Sequence, residues 1–235
     1  MDTRQQNILE FIIKEYQMTG EPVASQVLVE KYHFDLSPAT IRSEMLKLDE
    51  DGLLMQPHTS AGRVPTTKAY RLFVNKLLGK KELHLKDEER IRKDLRKFDD
   101  NDIFSRQMAQ ILADFSHNLG FSGFLGEESD FHEAGFSSLL KDIELCQPQS
   151  VADILRGFDY FGKKINNLFS RLDEEMEIFI GEENPIEDFK KCSLVISNYE
   201  KKDRKGFIGI LGPKRMNYVR NIFLVQEAKK MIEDI

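Results

Sequence analysis

Between Leu53 and Lys81 every charged residue is basic: Arg63, Lys68, Arg71, Lys76, Lys80 and Lys81. A cationic stretch without interleaved acid attracts a polyanion, because phosphate attraction acts within about a Debye length, roughly 10 Å at moderate salt. The acid is concentrated elsewhere, at Asp49 to Asp51, Asp99 to Asp102, Glu127 to Asp130 and Asp173 to Glu177. The net charge of −6 and the pI near 5.5 are therefore averages over unlike segments. Just upstream, Ala39, Thr40, Arg42, Ser43 and Lys47 fall on one side of a helical wheel, opposite Ile41, Met45 and Leu48. That face is compact and polar, with small residues at its start. A helix entering a major groove needs this shape, since bulky side chains would hold it away from the base edges.

Other residues with chemical potential do not combine. The histidines at 33, 58, 84, 117 and 132 share no metal-ligand spacing. Cys146 and Cys192 are too few for a disulfide framework or a four-cysteine zinc site, and Cys192, preceding an apolar strand, reads as a buried hydrophobe. Gly206, Gly209 and Gly212 have the spacing of a phosphate loop, but no Gly-Lys-Ser/Thr follows and the run lies in a strand, where close packing explains glycine. Glu182 and Glu183 read as a solvated turn. No catalytic constellation, metal site or cofactor motif emerges, so an enzyme is not expected. The 17 phenylalanines, in a chain without tryptophan, point to core or dimer packing.

These residues need elements to position them. Ile8, Leu9, Ile12, Ile13 and Tyr16 predict a first helix from Thr3 to Met18, capped by Thr3 and stopped by Gly20. Ser25 caps a second, carrying Val27, Leu28 and Tyr32. Ser37 and Pro38 open a third as N-cap and first helical residue, and Gly52 ends it. Leu53 to Met55 is a short strand, Gln56 to Arg63 a polar loop tipped by arginine, and Thr66 begins a helix with Tyr70, Phe73, Val74, Leu77 and Leu78 inward. Three helices, a strand, a loop and a basic helix make a winged helix-turn-helix.

Lys80 to Asp102 is mostly charged and reads as an exposed connecting helix. Ile103, Phe104, Met108, Ile111, Leu112, Phe115 and Leu119 predict an amphipathic helix. Ser150 with Asp153 looks like a capping box for another, and Pro213 for the start of the last. Strands are expected at 121–125 and 176–180, with a hairpin of 193–199 and 206–211 around a polar turn. Helices beside a small antiparallel sheet give the fold class α+β. Hydrophobic content of 40%, the polar start Met1 to Gln6 and the lack of an apolar run of roughly 20 residues point to a cytoplasmic, nucleoid-associated protein with no membrane partner.

Ser37-Pro38-Ala39-Thr40-Ile41-Arg42, Gly52-Leu53-Leu54, Gln56 to Arg63 and Tyr70-Arg71 together resemble the DNA-binding domain of the heat-inducible transcription repressor family, HrcA. The likeness runs almost without gaps through the first eighty residues. It resumes in pieces at Gly181 to Pro185, Cys192 to Val195, Gly209 to Pro213, Arg215, Met216 and Tyr218, and more weakly at Gly135 and Leu139-Leu140. The resemblance implies residues 1–80 as the DNA-binding domain, 81–101 as a helical linker and 102–235 as a shortened GAF-like effector domain. Between Phe124 and Phe131 there is no room for the strands and dimerisation insertion that the family carries. At position 43 the family pattern has asparagine, where this chain has serine.

The expected function is a sequence-specific repressor that binds double-stranded DNA as a homodimer. Ser37, Ala39, Thr40, Arg42, Ser43 and Lys47 are its reading helix. Thr40, Arg42 and Ser43 are the candidates for base edges, with a phosphate as the alternative for Arg42. Ser25, His58, Thr59, Ser60, Arg63, Lys68 and Arg71 hold the wing and backbone, Arg63 reaching a phosphate or the minor groove. The resemblance implies an inverted-repeat CIRCE-type operator upstream of chaperone genes and activity supported by the GroE chaperonin. The alternative is a winged-helix regulator of other genes, controlled by a ligand or protein partner unrelated to heat.

Overall fold

The first helix, α1 (Thr3–Thr19), starts one residue earlier in its cap than the sequence pattern predicts. Asp2 is the N-cap: its Oδ1 accepts the Gln5 N–H at 2.8 Å while Gln5 Oε1 accepts the Asp2 N–H at 3.1 Å. A carboxylate serves here better than the Thr3 hydroxyl, because two helix-start donors are satisfied reciprocally. The helix closes at Gly20, whose φ of 70° lets its N–H return to the Tyr16 carbonyl. The bounds of α2 (Ser25–Tyr32) make Ser25 its first residue rather than the residue that precedes it. α3 (Pro38–Glu50) is capped as expected, the Thr40 N–H donating to Ser37 Oγ at 3.1 Å with Pro38 at the first position.

β1 (Leu54–Met55) pairs antiparallel with β2 (Val64–Pro65), Leu54 opposite Pro65 and Met55 opposite Val64, so the polar loop between them is a wing. α4 (Thr67–Leu78) is capped by Thr66 and buries Ala69, Tyr70, Phe73, Val74 and Leu77; Leu78, expected inward, is exposed. Ile8, Ile12, Ile13, Leu28, Ile41, Leu48 and Val74, all fully buried, form the core of this winged helix-turn-helix. The computed structural model describes residues 1–32, 34, 36–79, 85–86, 88–95, 104–125, 131–142, 145–161, 164–165, 168, 176–201 and 204–234. They divide into two units, Met1–Lys81 and Glu82–Ile235.

The second unit is built on a five-stranded antiparallel sheet. Its strands are β3 (Leu119–Phe124), β4 (Phe131–Ala134), β5 (Met176–Ile180), β6 (Cys192–Lys201) and β7 (Arg204–Pro213), in the order β4-β3-β7-β6-β5. The sequence pattern shows β3, β5 and the β6–β7 hairpin but not β4, whose residues are half-buried or exposed without alternation. Both faces of the central strands are buried. On one lie α6 (Phe104–Ser116) and α9 (Tyr218–Glu233). On the other, Phe121 and Phe207 join Phe161 and Phe189 in an aromatic core, with ring centroids 5.0 Å apart for Phe121 and Phe161. α7 (Phe136–Leu139) and α8 (Pro148–Asp159) complete that layer. The unit, like the chain, is α+β.

Three helix ends differ from the sequence pattern. α8 starts at Gln147 as N-cap with Pro148 at the first position; Ser150 is buried inside the helix, where its Oγ accepts from Lys191 at 3.1 Å. Proline at the first turn fixes the start more firmly than a serine three positions on. Pro213 ends β7, and α9 is capped instead by the Asn217 side chain, which accepts the Arg220 N–H at 3.1 Å. α6 stops at Ser116 because His117 takes a φ of 57°, so Leu119 opens β3 rather than prolonging the helix.

Within the charged stretch 81–101, α5 (Glu88–Leu95) buries Ile91 and Leu95, and its Arg92 meets Glu227 of α9 at 2.7 Å. The cations Lys80 and Lys81, and His33, His84 and Ile103, lie outside the described residues.

Candidate nucleic-acid interface

The buried stripe of α3 turns Ser37, Ala39, Arg42, Ser43 and Lys47 to solvent, with Thr40 half-buried. Thr40 Oγ1 lies 2.9 Å from Ser37 Oγ, so the two hydroxyls at the helix start form one polar group. Lys47 donates to Glu44 at 3.0 Å, and Gln5 donates to the other oxygen of the same carboxylate at 3.0 Å. The Lys47 hydrogen bond, with help from Gln5, holds Glu44 below the usual carboxylate range. Glu44 thus ties α3 to α1, and Lys47 is partly committed to it.

The wing has its own internal geometry. Gln56 Nε2 donates to the carbonyls of Thr59 at 3.0 Å and Ala61 at 2.9 Å, and the Ala61 N–H bonds the His58 carbonyl at 2.8 Å. This holds His58, Thr59 and Ser60 outward and exposed, with Ser60 Oγ 3.4 Å from His58 Nδ1. At the wing's base Val23 and Arg63 exchange two backbone hydrogen bonds, both 2.9 Å. A Cβ on Gly62 would lie 2.4 Å from the Val23 carbonyl carbon and oxygen, so this close backbone approach requires glycine. The wing is thereby stitched to the segment that feeds α2.

Arg63 is not at the wing tip. Its Nε meets Asp49 of α3 at 2.7 Å and its side chain is only 16% exposed. It joins the wing base to the end of α3, because an arginine flanked by a paired backbone is held close to the fold and finds the nearest carboxylate. Lys68 is exposed but donates its ammonium to the Asp51 carbonyl at 2.8 Å, at the end of α3 remote from Ser37. There a cation meets the negative end of the helix dipole. Arg71 is half-buried on α4.

Ser25, Arg42, Thr59, Ser60 and Arg63 line one concavity of about 480 Å³ between α3, the wing and the start of α2. The fold brings these five together; Lys68 and Arg71 lie outside it. Ser25 is only 6% exposed, so it presents little surface there. Gln56, Gly62 and Asp49 are the contributors that sequence reasoning did not single out. Gln56 and Gly62 lay within the wing motif, but their roles depend on backbone atoms that only the folded chain brings near.

Outside this face, Cys192 is fully buried and burial pushes its thiol up to about 12, which makes it inert. A Cβ on Gly206 would lie 2.2 Å from the Tyr199 ring and one on Gly209 2.3 Å from the Phe121 ring. The glycines of β7 are packing positions. Among the described residues there is no cluster of three or more metal-ligating side chains, and no helix is long and apolar enough to cross a membrane.

The family description "HrcA protein C terminal domain" matches residues 54–222, from the first wing strand into α9. The chain belongs to the HrcA family. The HrcA relative named "Heat-inducible transcription repressor HrcA" in Thermodesulfovibrio yellowstonii is 28% identical, with 96% of this chain and 95% of the relative covered. Its namesake in Acidothermus cellulolyticus reaches 51% over a shorter stretch, 33% of this chain and 23% of the relative. The first of these alignments runs over 331 positions against a chain of 235 residues, so many residues of that relative have no counterpart in this HrcA member. A crystal structure described as that of a hypothetical protein has the same fold, with a TM-score of 0.79, 19% identity and 100% and 99% of the two chains covered.

Proposed function

We propose that this HrcA-family chain is a sequence-specific transcriptional repressor that reads double-stranded DNA as a homodimer. The observation that carries the reading is the exposed, compact face of α3 flanked by a wing that Gln56 and Gly62 hold in one shape. Each protomer lays α3 in a major groove, with Thr40, Arg42 and Ser43 at the base edges and Ser37, Ala39 and Lys47 beside them. Ser25 and Lys68 position the backbone with Arg71, while His58, Thr59 and Ser60 present the wing. Arg63 anchors that wing through Asp49, with its remaining donors toward a phosphate.

The relatives' name, heat-inducible transcription repressor, supports repression of heat-responsive genes; to this we add, as part of the proposal, chaperone genes as the targets, an inverted-repeat CIRCE-type operator and the GroE chaperonin as the partner that sustains activity. Two-fold symmetry of the protein would then match two-fold symmetry of the site. No enzymatic step enters this reading. The residues of the longer relatives that have no counterpart here favour one alternative, a winged-helix regulator of other genes whose effector unit answers to a different ligand or partner.

Fluorescence anisotropy on a CIRCE-type duplex and a scrambled duplex, across a salt series, tests the proposal. Preference for the repeat by 10³-fold or more, at two protomers per duplex, is the expected result. Equal binding to both overturns specific reading of that repeat. DNA affinity that ignores the chaperonin but moves with a metabolite favours the alternative.

A further inference from the structure

Leu46 stands out on α3. The buried residues Ile41, Glu44, Met45 and Leu48 define the direction of the core. At about 100° per residue, the opposite direction runs through Ala39, Ser43, Leu46 and Glu50. Leu46 therefore sits nearer the centre of the outward face than Thr40 or Arg42, which lie at its two margins. It is 50% exposed, on a face whose other large side chains, Arg42, Lys47 and Glu50, are charged. An isolated surface leucine is common in proteins. One at the centre of a helix face that is otherwise small or charged, continuous with Ser43 and Arg42, has a defined place in a groove.

The major groove offers one apolar feature, the C5-methyl of thymine, and apolar side chains read it by contact. We infer that Leu46 is a specificity-determining residue that packs on a thymine methyl in each half-site. This rests on the proposed reading of DNA by α3 and deepens it. Leu46 lies two turns beyond Ala39, about 10 Å along the helix axis, so it touches a different base pair from the helix start. Its partner is chosen by the methyl alone: the side chain has no donor or acceptor, so it distinguishes thymine from cytosine or uracil at that position but makes no hydrogen bond to any base.

The experiment uses the full chain and a duplex selected by it from a random-sequence pool. Each thymine of the selected site is replaced singly by deoxyuridine, which removes only the methyl, and affinities are measured for the native chain and Leu46→Ala. The exposed position and the high helix propensity of alanine keep the variant folded, which a far-UV melting curve verifies. The native chain is expected to lose about fourfold at one thymine per half-site, the effect of withdrawing one methyl-sized apolar contact, while Leu46→Ala is indifferent there. A native chain insensitive to every replacement, or a Leu46→Ala variant with the native sensitivity, overturns the role of Leu46 and leaves DNA reading by α3 standing. Failure to enrich any sequence from the pool overturns the reading itself, and this inference with it.

Discussion

At Gly62 a single hydrogen atom decides whether the wing can dock. The Val23 carbonyl occupies the space a methyl would need, so Gly62→Ala must push the wing off the segment that feeds α2. Overpacking of this kind costs about 1–3 kcal/mol, and a thermal melt of the variant is expected to show that loss together with weakened DNA binding. Arg63→Ala acts differently: it frees Asp49 at the end of α3 and removes the cation from the wing base. The expected result is lower affinity and a shallower dependence on salt, measured by anisotropy; unchanged affinity and slope would remove Arg63 from the interface.

Glu15 carries a pH signature. Burial raises its pKa, but hydrogen bonds from Lys31 at 2.8 Å and Tyr32 at 2.7 Å, with the charge of Lys31, bring it below its ordinary 4.5. A carboxylate with a depressed folded pKa contributes stability above its unfolded value and loses it as pH falls through the folded one. Urea unfolding followed between about pH 3 and 6 is expected to show stability falling below 4.5, with a weaker fall in Glu15→Gln.

Elements are fixed at their ends as much as along their faces. The Ser37 hydroxyl caps α3 and also touches Thr40, so the start of the reading helix is one hydrogen-bonded unit. Ser37→Ala is expected to cost about 1 kcal/mol in the melting of the winged unit, and to lower DNA affinity through the same atoms. Where caps compete, local sequence is a poor guide. Asp2 outdoes Thr3, Gln147 with Pro148 outdoes Ser150, and Asn217 outdoes Pro213. In each case the start falls where the free N–H groups of the first turn are best met, by a reciprocal carboxylate, by a proline that lacks the N–H, or by an amide oxygen. β4 illustrates the same point, since an edge strand has one neighbour and no enforced alternation.

For the whole molecule, a chain of net charge −6 would, on the proposed reading, bind DNA through local cations rather than through its net charge. Counterion release makes such binding fall linearly on a log–log salt plot, by roughly 0.9 for each phosphate neutralised. A homodimer on an inverted repeat is expected to show twice the slope of one half-site. Insertion of half a helical turn, about 5 base pairs, between the half-sites is expected to abolish the gain from the second protomer. Equal affinity for both spacings would instead describe independent protomers.

The winged helix-turn-helix, its capped reading helix and the polar wing were legible in the sequence because each rests on local rules: apolar period, a Ser-Pro start, a glycine stop. So was the α+β character of the second unit, from alternating strands and a polar turn. Tertiary structure alone decided what those elements do to one another. It turned Arg63 inward onto Asp49, set Lys68 on the end of α3, made Gly62 a point of backbone contact, and gathered phenylalanines from 121, 161, 189 and 207 against one sheet face. These outcomes join residues far apart in the chain, and the atoms they depend on, chiefly backbone carbonyls and ring edges, carry no signature in the order of the amino acids.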